Sequence, residues 1–117
     1  MADQNGKHSY QIYAYYIFGR GEISIQQMRL ILYSKPGCHL CEGLQEKLEQ
    51  IQNISFELEI RDITTREDWF GKYQYEVPVL FLSNPASVQE EPLPRPSPRA
   101  SVQQLEQMLY KYLANGK

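Results

Sequence analysis

Leu30-Ile31-Leu32-Tyr33-Ser34-Lys35-Pro36-Gly37-Cys38-His39-Leu40-Cys41 decides how the rest of the chain is read. The apolar run Leu30-Ile31-Leu32-Tyr33 leads into a C-x-x-C pair. A helical repeat leads away from it, with Leu40, Leu44, Leu48 and Ile51 at i, i+4, i+8 and i+11. The two cysteines, the only ones in the chain, therefore stand where a strand ends and a helix begins. A helix N-terminus offers unpaired N–H groups and the positive end of a dipole, and both favour a thiolate over a thiol. One cysteine can face outward as a nucleophile. The other lies one turn further in, close enough to close a disulfide.

Length and composition narrow the reading. At 117 residues there is room for one domain and one core. A net charge of −2 gives no reason to expect nucleic acid or an anionic membrane as partner. No stretch approaches the roughly 18 apolar residues of a spanning helix. Two cysteines are too few for a disulfide-stapled secreted scaffold. In a chain without an export signal, C-x-x-C at a strand–helix junction reads as redox chemistry, and the expected location is cytoplasmic.

Residues 1–27 read as an N-terminal extension and 28–114 as the domain. The extension carries Tyr10-Gln11-Ile12-Tyr13-Ala14-Tyr15-Tyr16-Ile17-Phe18, which is short and lacks a small-residue cleavage pattern. It reads as an accessory strand or a partly ordered arm rather than a signal peptide. Arg29 to Tyr33 form a first strand, continuous in its apolar character as a strand buried on both faces should be. A helix runs from Cys41 to about Gln52. Ser55 to Arg61 alternates with period two and reads as a second strand with one buried face. Thr64 and Glu67 match a capping box for a short helix that carries Trp69, Phe70 and Tyr73 toward the core. Val77 to Leu82 form a third strand, Asn84-Pro85 a turn, and Ser87 to Glu91 a short edge strand. Pro92 to Arg99 is an extended connector, because its prolines lack donors. Ser101 with Gln104 caps a last helix whose stripe is Val102, Leu105, Met108, Leu109, Tyr112 and Leu113, closed by Asn115-Gly116. The order β-α-β-α-β-β-α predicts an α/β mixed four-stranded sheet with helices on both faces. Strands one and two are parallel; strands three and four are antiparallel.

The chemistry centres on Cys38, the N-terminal and exposed member of the pair, whose pKa should fall below the free value of about 8.5. Its thiolate would attack a substrate disulfide, and the more buried Cys41 would resolve the mixed disulfide. A static disulfide and half of a zinc site are the alternatives. Zinc needs four ligands, and the only histidines are His8 in the extension and His39 inside the motif, so no metal is expected within one chain. A metal or cluster shared between two chains stays open. A protonated His39 would favour the thiolate; a solvated one would have little effect. Leu40 borders the site. Pro78 is the second signal, since X-Pro is the one bond where cis costs little. A cis Pro78 beside Cys38 would leave the Val77 backbone to pair with an incoming extended peptide. A trans proline opening an edge strand is the alternative.

The stretch Tyr33 to Cys41, the Val77-Pro78-Val79-Leu80 sequence about forty residues after Cys38, and the element order resemble glutaredoxins, within the thioredoxin superfamily. The likeness runs from about Met28 to Leu113 and is greatest to the small glutaredoxin-like proteins. It implies a thioredoxin-like fold, Cys38 as nucleophile, Cys41 as resolving thiol and Pro78 in cis. It also suggests Lys35 as a contact for a glutathione carboxylate. Two departures stand out. His39 and Leu40 replace the usual proline and aromatic between the cysteines. Glu90 to Arg99 replaces the Gly-Gly-Ser/Thr-Asp turn that holds glutathione, with Arg95 or Arg99 as substitute charges. The reading is a monomeric thiol–disulfide oxidoreductase with no bound cofactor. Glutathione or a thioredoxin-reductase-like system would reduce it, and its partner would be a disulfide-containing protein or a glutathione mixed disulfide. The rival is a thioredoxin-like binding module that docks partners on Val77-Pro78, or a dimer sharing a cluster through Cys38.

Overall fold

The computed structural model describes residues 28–84 and 89–114. The expected strand at Tyr10 to Phe18, His8, the turn at Pro85, Ser87 and the Asn115-Gly116 cap lie outside the described residues. The described elements are β1 (Arg29–Ser34), α1 (His39–Glu49), β2 (Glu57–Asp62), a 3-10 turn (Ile63–Thr65), α2 (Glu67–Tyr73), β3 (Val79–Ser83), β4 (Glu90–Pro92) and α3 (Val102–Ala114). They form one sheet of order β2-β1-β3-β4. β1 runs parallel to β2 and antiparallel to β3, and β3 runs antiparallel to β4.

β1 is the centre of the sheet, which accounts for its unbroken apolar run. Leu30 and Leu32 face one layer with Leu48, Ile51, Phe56, Leu105 and Leu109. Ile31 and Tyr33 face the other with Ile63, and Trp69, Tyr73, Val79 and Phe81 pack there. So α1 and α3 cover one face and α2 the other, as the element order predicts for a thioredoxin-like α/β fold. Each fully buried Leu or Ile contributes about 1.5–3 kcal/mol relative to exposure. The ion pairs of Arg29 with Glu57 and Glu59 at the exposed rim, both 3.3 Å, contribute about 0–1 kcal/mol each. Packing around β1 therefore dominates.

α1 starts two residues earlier than the apolar repeat suggests. The Cys38 sulfur accepts a hydrogen bond from the Cys41 N–H at 3.2 Å and so caps the helix. The helix ends at Glu49, short of Gln52, because Gln50 and Ile51 switch to tighter i−3 bonds (3.1 and 3.3 Å) and Ile51 drops into the core. The buried stripe is Cys41, Leu48 and Ile51, with Leu44 partly buried between them. Leu40, expected on it, lies off that stripe and is 52 % exposed.

The capping box expected at Thr64 does not form. The Thr64 hydroxyl donates instead to Asp62 Oδ1 (2.6 Å), as does its N–H (2.9 Å), and Asp62 caps the 3-10 turn. These two bonds, the hydroxyl first, hold the Asp62 carboxyl below its ordinary pKa. α2 then begins at Glu67 after Arg66, with no side-chain cap. Trp69 and Tyr73, one turn apart, pack on Tyr33 at ring separations of 5.6 and 4.4 Å. Phe70, a third of a turn away, is 38 % exposed rather than core. Arg61 lies over the Tyr33 and Trp69 rings and donates to Tyr33 Oη (2.7 Å), Glu59 (2.7 Å) and Glu90 (3.2 Å). Partial burial opposes its charge, but these bonds outweigh that and raise its pKa.

β4 is Glu90–Pro92, an edge position that tolerates a proline. The following segment is more than a connector. Leu93 is buried and its N–H donates to Leu80 O at 2.9 Å. Lys47 of α1 then holds the carbonyls of Pro98 (2.9 Å) and Ala100 (2.6 Å). The Ser101–Gln104 capping box forms reciprocally, both bonds 3.0 Å. Leu105 and Leu109 are buried, with Val102, Met108 and Tyr112 flanking them. The Leu113 side chain lies outside the described residues. No helix among the described residues is long and apolar enough to cross a membrane.

Candidate active site

The end of β1 delivers the chain to a tight turn. The Cys38 N–H donates to Lys35 O at 3.3 Å, Pro36 takes the first corner, and Gly37 takes the second at φ 80°. That is a type II turn, in which the second corner favours glycine and proline suits the first. Pro36-Gly37 is thus the device that stops the strand and aims Cys38 at the start of α1. A proline–glycine pair is a turn signal legible in the sequence itself.

Cys38 and Cys41 form a disulfide, with Cα atoms 5.2 Å apart. Cys41 is fully buried, while Cys38 is half-buried at the helix cap. The two sulfurs therefore differ in access, as attack by one and resolution by the other require. The Cys41 N–H already points at the Cys38 sulfur, where it would stabilise a thiolate once the bond opens. His39 is exposed and its Nδ1 lies 3.7 Å from Glu42 Oε1.

The Val77–Pro78 peptide bond is cis, and Pro78 is buried. Val77 gives its N–H to Tyr73 O (3.1 Å), so of the backbone pairing expected there the donor is already taken within the chain. Lys35 donates to Gln74 O (3.2 Å), so Lys35 and Val77 are both tied to the end of α2.

Beside His39 and Leu40, the two residues between the cysteines, lies a cleft of about 290 Å³ that neither cysteine itself lines. His39, Leu40, Gly43 and Leu44 of α1 line one side, Pro78 and the segment 95–98 the other. Neither Lys35 nor Val77 lines it, so the expected site residues split between the cleft and the α2 side of Cys38. Arg95 lines it and its guanidinium reaches Glu76 O; Arg99 does not line it. Gly43, Lys47 and the proline wall were not singled out from the sequence. The stripe at Leu44 and Leu48 reads only as core, and a cleft between α1 and a segment fifty residues later leaves no local signal. Lys35, Lys47 and Arg95 have no carboxylate partner among the described residues. By contrast Arg29, Arg61 and Arg66 are all paired with acids. Among the described residues no group of three or more His, Cys, Asp or Glu side chains converges on a metal position.

No curated protein matches the chain. The glutaredoxin-like domain (DUF836) matches residues 29–110, a span that runs from β1 into α3 and contains both cysteines and Pro78. The chain belongs to the glutaredoxin-like domain family.

Proposed function

We propose that the protein is a cytosolic thiol–disulfide oxidoreductase that uses Cys38 and Cys41 as its dithiol. The observation that supports this best is the unequal pair itself. Cys38 sits half-buried at a helix cap, and Cys41 is fully buried and in bonding reach. In the reduced protein the Cys38 thiolate attacks one sulfur of a substrate disulfide. A Cys38–substrate disulfide forms and one substrate thiolate leaves, taking a proton from solvent. Cys41 loses its proton and attacks Cys38 Sγ, so the intramolecular disulfide forms and the second substrate thiol departs. Two electrons pass from the dithiol to the substrate. Two equivalents of an external thiol such as glutathione, or a dithiol reductase, return them.

In this reading the substrate is a disulfide-containing protein or a glutathione mixed disulfide. The Val77 carbonyl and Pro78 align it, Lys35 offers its remaining donors to a carboxylate, and His39 tunes the thiolate. The test is the pH dependence of Cys38 alkylation in Cys41→Ser, beside a glutathione-coupled disulfide reduction assay on the native chain. Thiolate formation below the free-cysteine range near 8.5, together with turnover, is the expected result. An ordinary thiol and no turnover would sink the enzyme and leave a binding module.

A further inference from the structure

The cleft beside His39 and Leu40 has two features that thiol exchange does not require. Gly43 sits in the interior of α1, where glycine weakens a helix relative to alanine. A Cβ built there meets nothing within 4 Å, so packing inside the chain does not call for glycine. The space that its missing side chain leaves belongs to the cleft, whose apolar surface is Leu40, Leu44, Pro78, Pro96 and Pro98. The second feature is charge. Lys47 and Arg95 line the cleft and are fixed by neutral carbonyls, Pro98 and Ala100 for Lys47 and Glu76 for Arg95. Their positions are set and their charges are left uncompensated among the described residues.

Resting on the oxidoreductase reading, we propose that this cleft is a specificity subsite for a protein substrate. It takes a bulky apolar side chain flanking the substrate cysteine, in an extended segment that also carries a carboxylate for Arg95 and Lys47. Position supports this occupant. His39 and Leu40 follow Cys38 directly and Pro78 stands opposite, so a segment whose sulfur meets Cys38 runs along the cleft. Size supports it too. About 290 Å³ lies at the foot of the roughly 300–1,000 Å³ range of small-molecule sites, suited to one large side chain. Fixed positive charge in a half-enclosed site selects an acidic segment over a basic one.

The test measures attack by Cys38 in Cys41→Ser on peptides whose single cysteine carries a thionitrobenzoate group. The Cys38 sulfur bonds to the peptide sulfur, the peptide–thionitrobenzoate bond breaks, and the coloured thiolate leaves. One peptide has phenylalanine on both sides of the cysteine and a glutamate two residues further. A second replaces both phenylalanines with serine, and a third replaces the glutamate with lysine. The phenylalanine peptide is expected to react about tenfold faster than the serine peptide. The glutamate peptide is expected to outpace the lysine peptide about threefold, a preference that fades with salt. Gly43→Leu, which fills the cleft, brings the phenylalanine-to-serine ratio toward one. Leu40→Ser, at an exposed position that folding tolerates, lowers the same ratio. Arg95→Gln removes the glutamate preference. Equal rates for the phenylalanine and serine peptides, or ratios unmoved by Gly43→Leu and Leu40→Ser, would overturn the subsite. Failure of the oxidoreductase reading shows separately, as reaction with capped cysteine–thionitrobenzoate no faster than that of a free thiol.

Discussion

Replacing Gly43 with alanine should stabilise the protein, and the size of the gain follows from its place in the fold. Gly43 is in the middle of an 11-residue helix, away from frayed ends, so the full propensity difference applies. Alanine exceeds glycine there by about 0.8–1 kcal/mol. Nothing is subtracted for a clash, because the added Cβ has no neighbour within 4 Å. A gain near 1 kcal/mol is about a fivefold rise in the folded-to-unfolded ratio. It also corresponds to about 4–8 °C in Tm for a domain of this size. The assay is urea unfolding of the oxidised full-length protein, followed by the fluorescence of Trp69, the only tryptophan and one packed on Tyr33. The midpoint should rise with the slope unchanged, which places the effect in stability rather than in the compactness of the unfolded chain. A midpoint that stays or falls would refute the reasoning, since it would mean that glycine serves the packing of α1. The argument that Gly43 keeps room for a substrate would fall with it.

Gly37→Ala should cost about 1–2 kcal/mol, because a side chain at φ 80° meets its own backbone, and the urea midpoint should drop accordingly. An unchanged midpoint would show that the turn adapts. Lys47→Met removes the two bonds that hold Pro98 and Ala100; with the ammonium partly in solvent, a loss of about 1–2 kcal/mol is expected, with faster proteolysis in the segment 94–100. Equal proteolysis rates would show that Leu93 and Arg95 anchor the segment without Lys47. Stability should also fall in strong alkali. Burial, the largest cause, raises the pKa of Tyr33 and Tyr73 above the ordinary 10.0, so the folded protein keeps phenolic protons that the unfolded chain loses. That contribution is complete below pH 10 and is lost as the pH climbs through the raised values. Urea midpoints at pH 9 and pH 11 should differ, and Tyr73→Phe should shrink the difference; a variant that leaves it intact would assign the effect elsewhere.

Much of the fold was legible because it follows from local periodicity. Four consecutive apolar residues at 30–33 marked a strand buried on both faces, and β1 is the sheet's centre. The Ser101–Gln104 pair marked the start of α3 because a capping box involves only residues three apart. The same logic misfired at Thr64, where Asp62, two residues earlier, competes for the same hydroxyl and wins it. It also misplaced Leu40 and Phe70, each a fraction of a turn from a buried neighbour, because an apolar side chain on a short helix does not say which way the helix is rolled.

The site divides along the same line. The sequence by itself determined the dithiol, its place at a strand–helix junction and the proline that stands across from it. These depend on residue types at fixed spacing, which chain geometry converts directly into proximity. Only the tertiary structure decided what lies beside the dithiol. It seats the proline segment 95–98 against α1 through Lys47, turns Leu40 outward into the cleft, and leaves Lys35, Lys47 and Arg95 without acid partners among the described residues. Those features arise from contacts between residues 19 to 53 positions apart. Such contacts depend on how the helices and the edge strand pack on β1, a collective outcome of burial that no local pattern encodes.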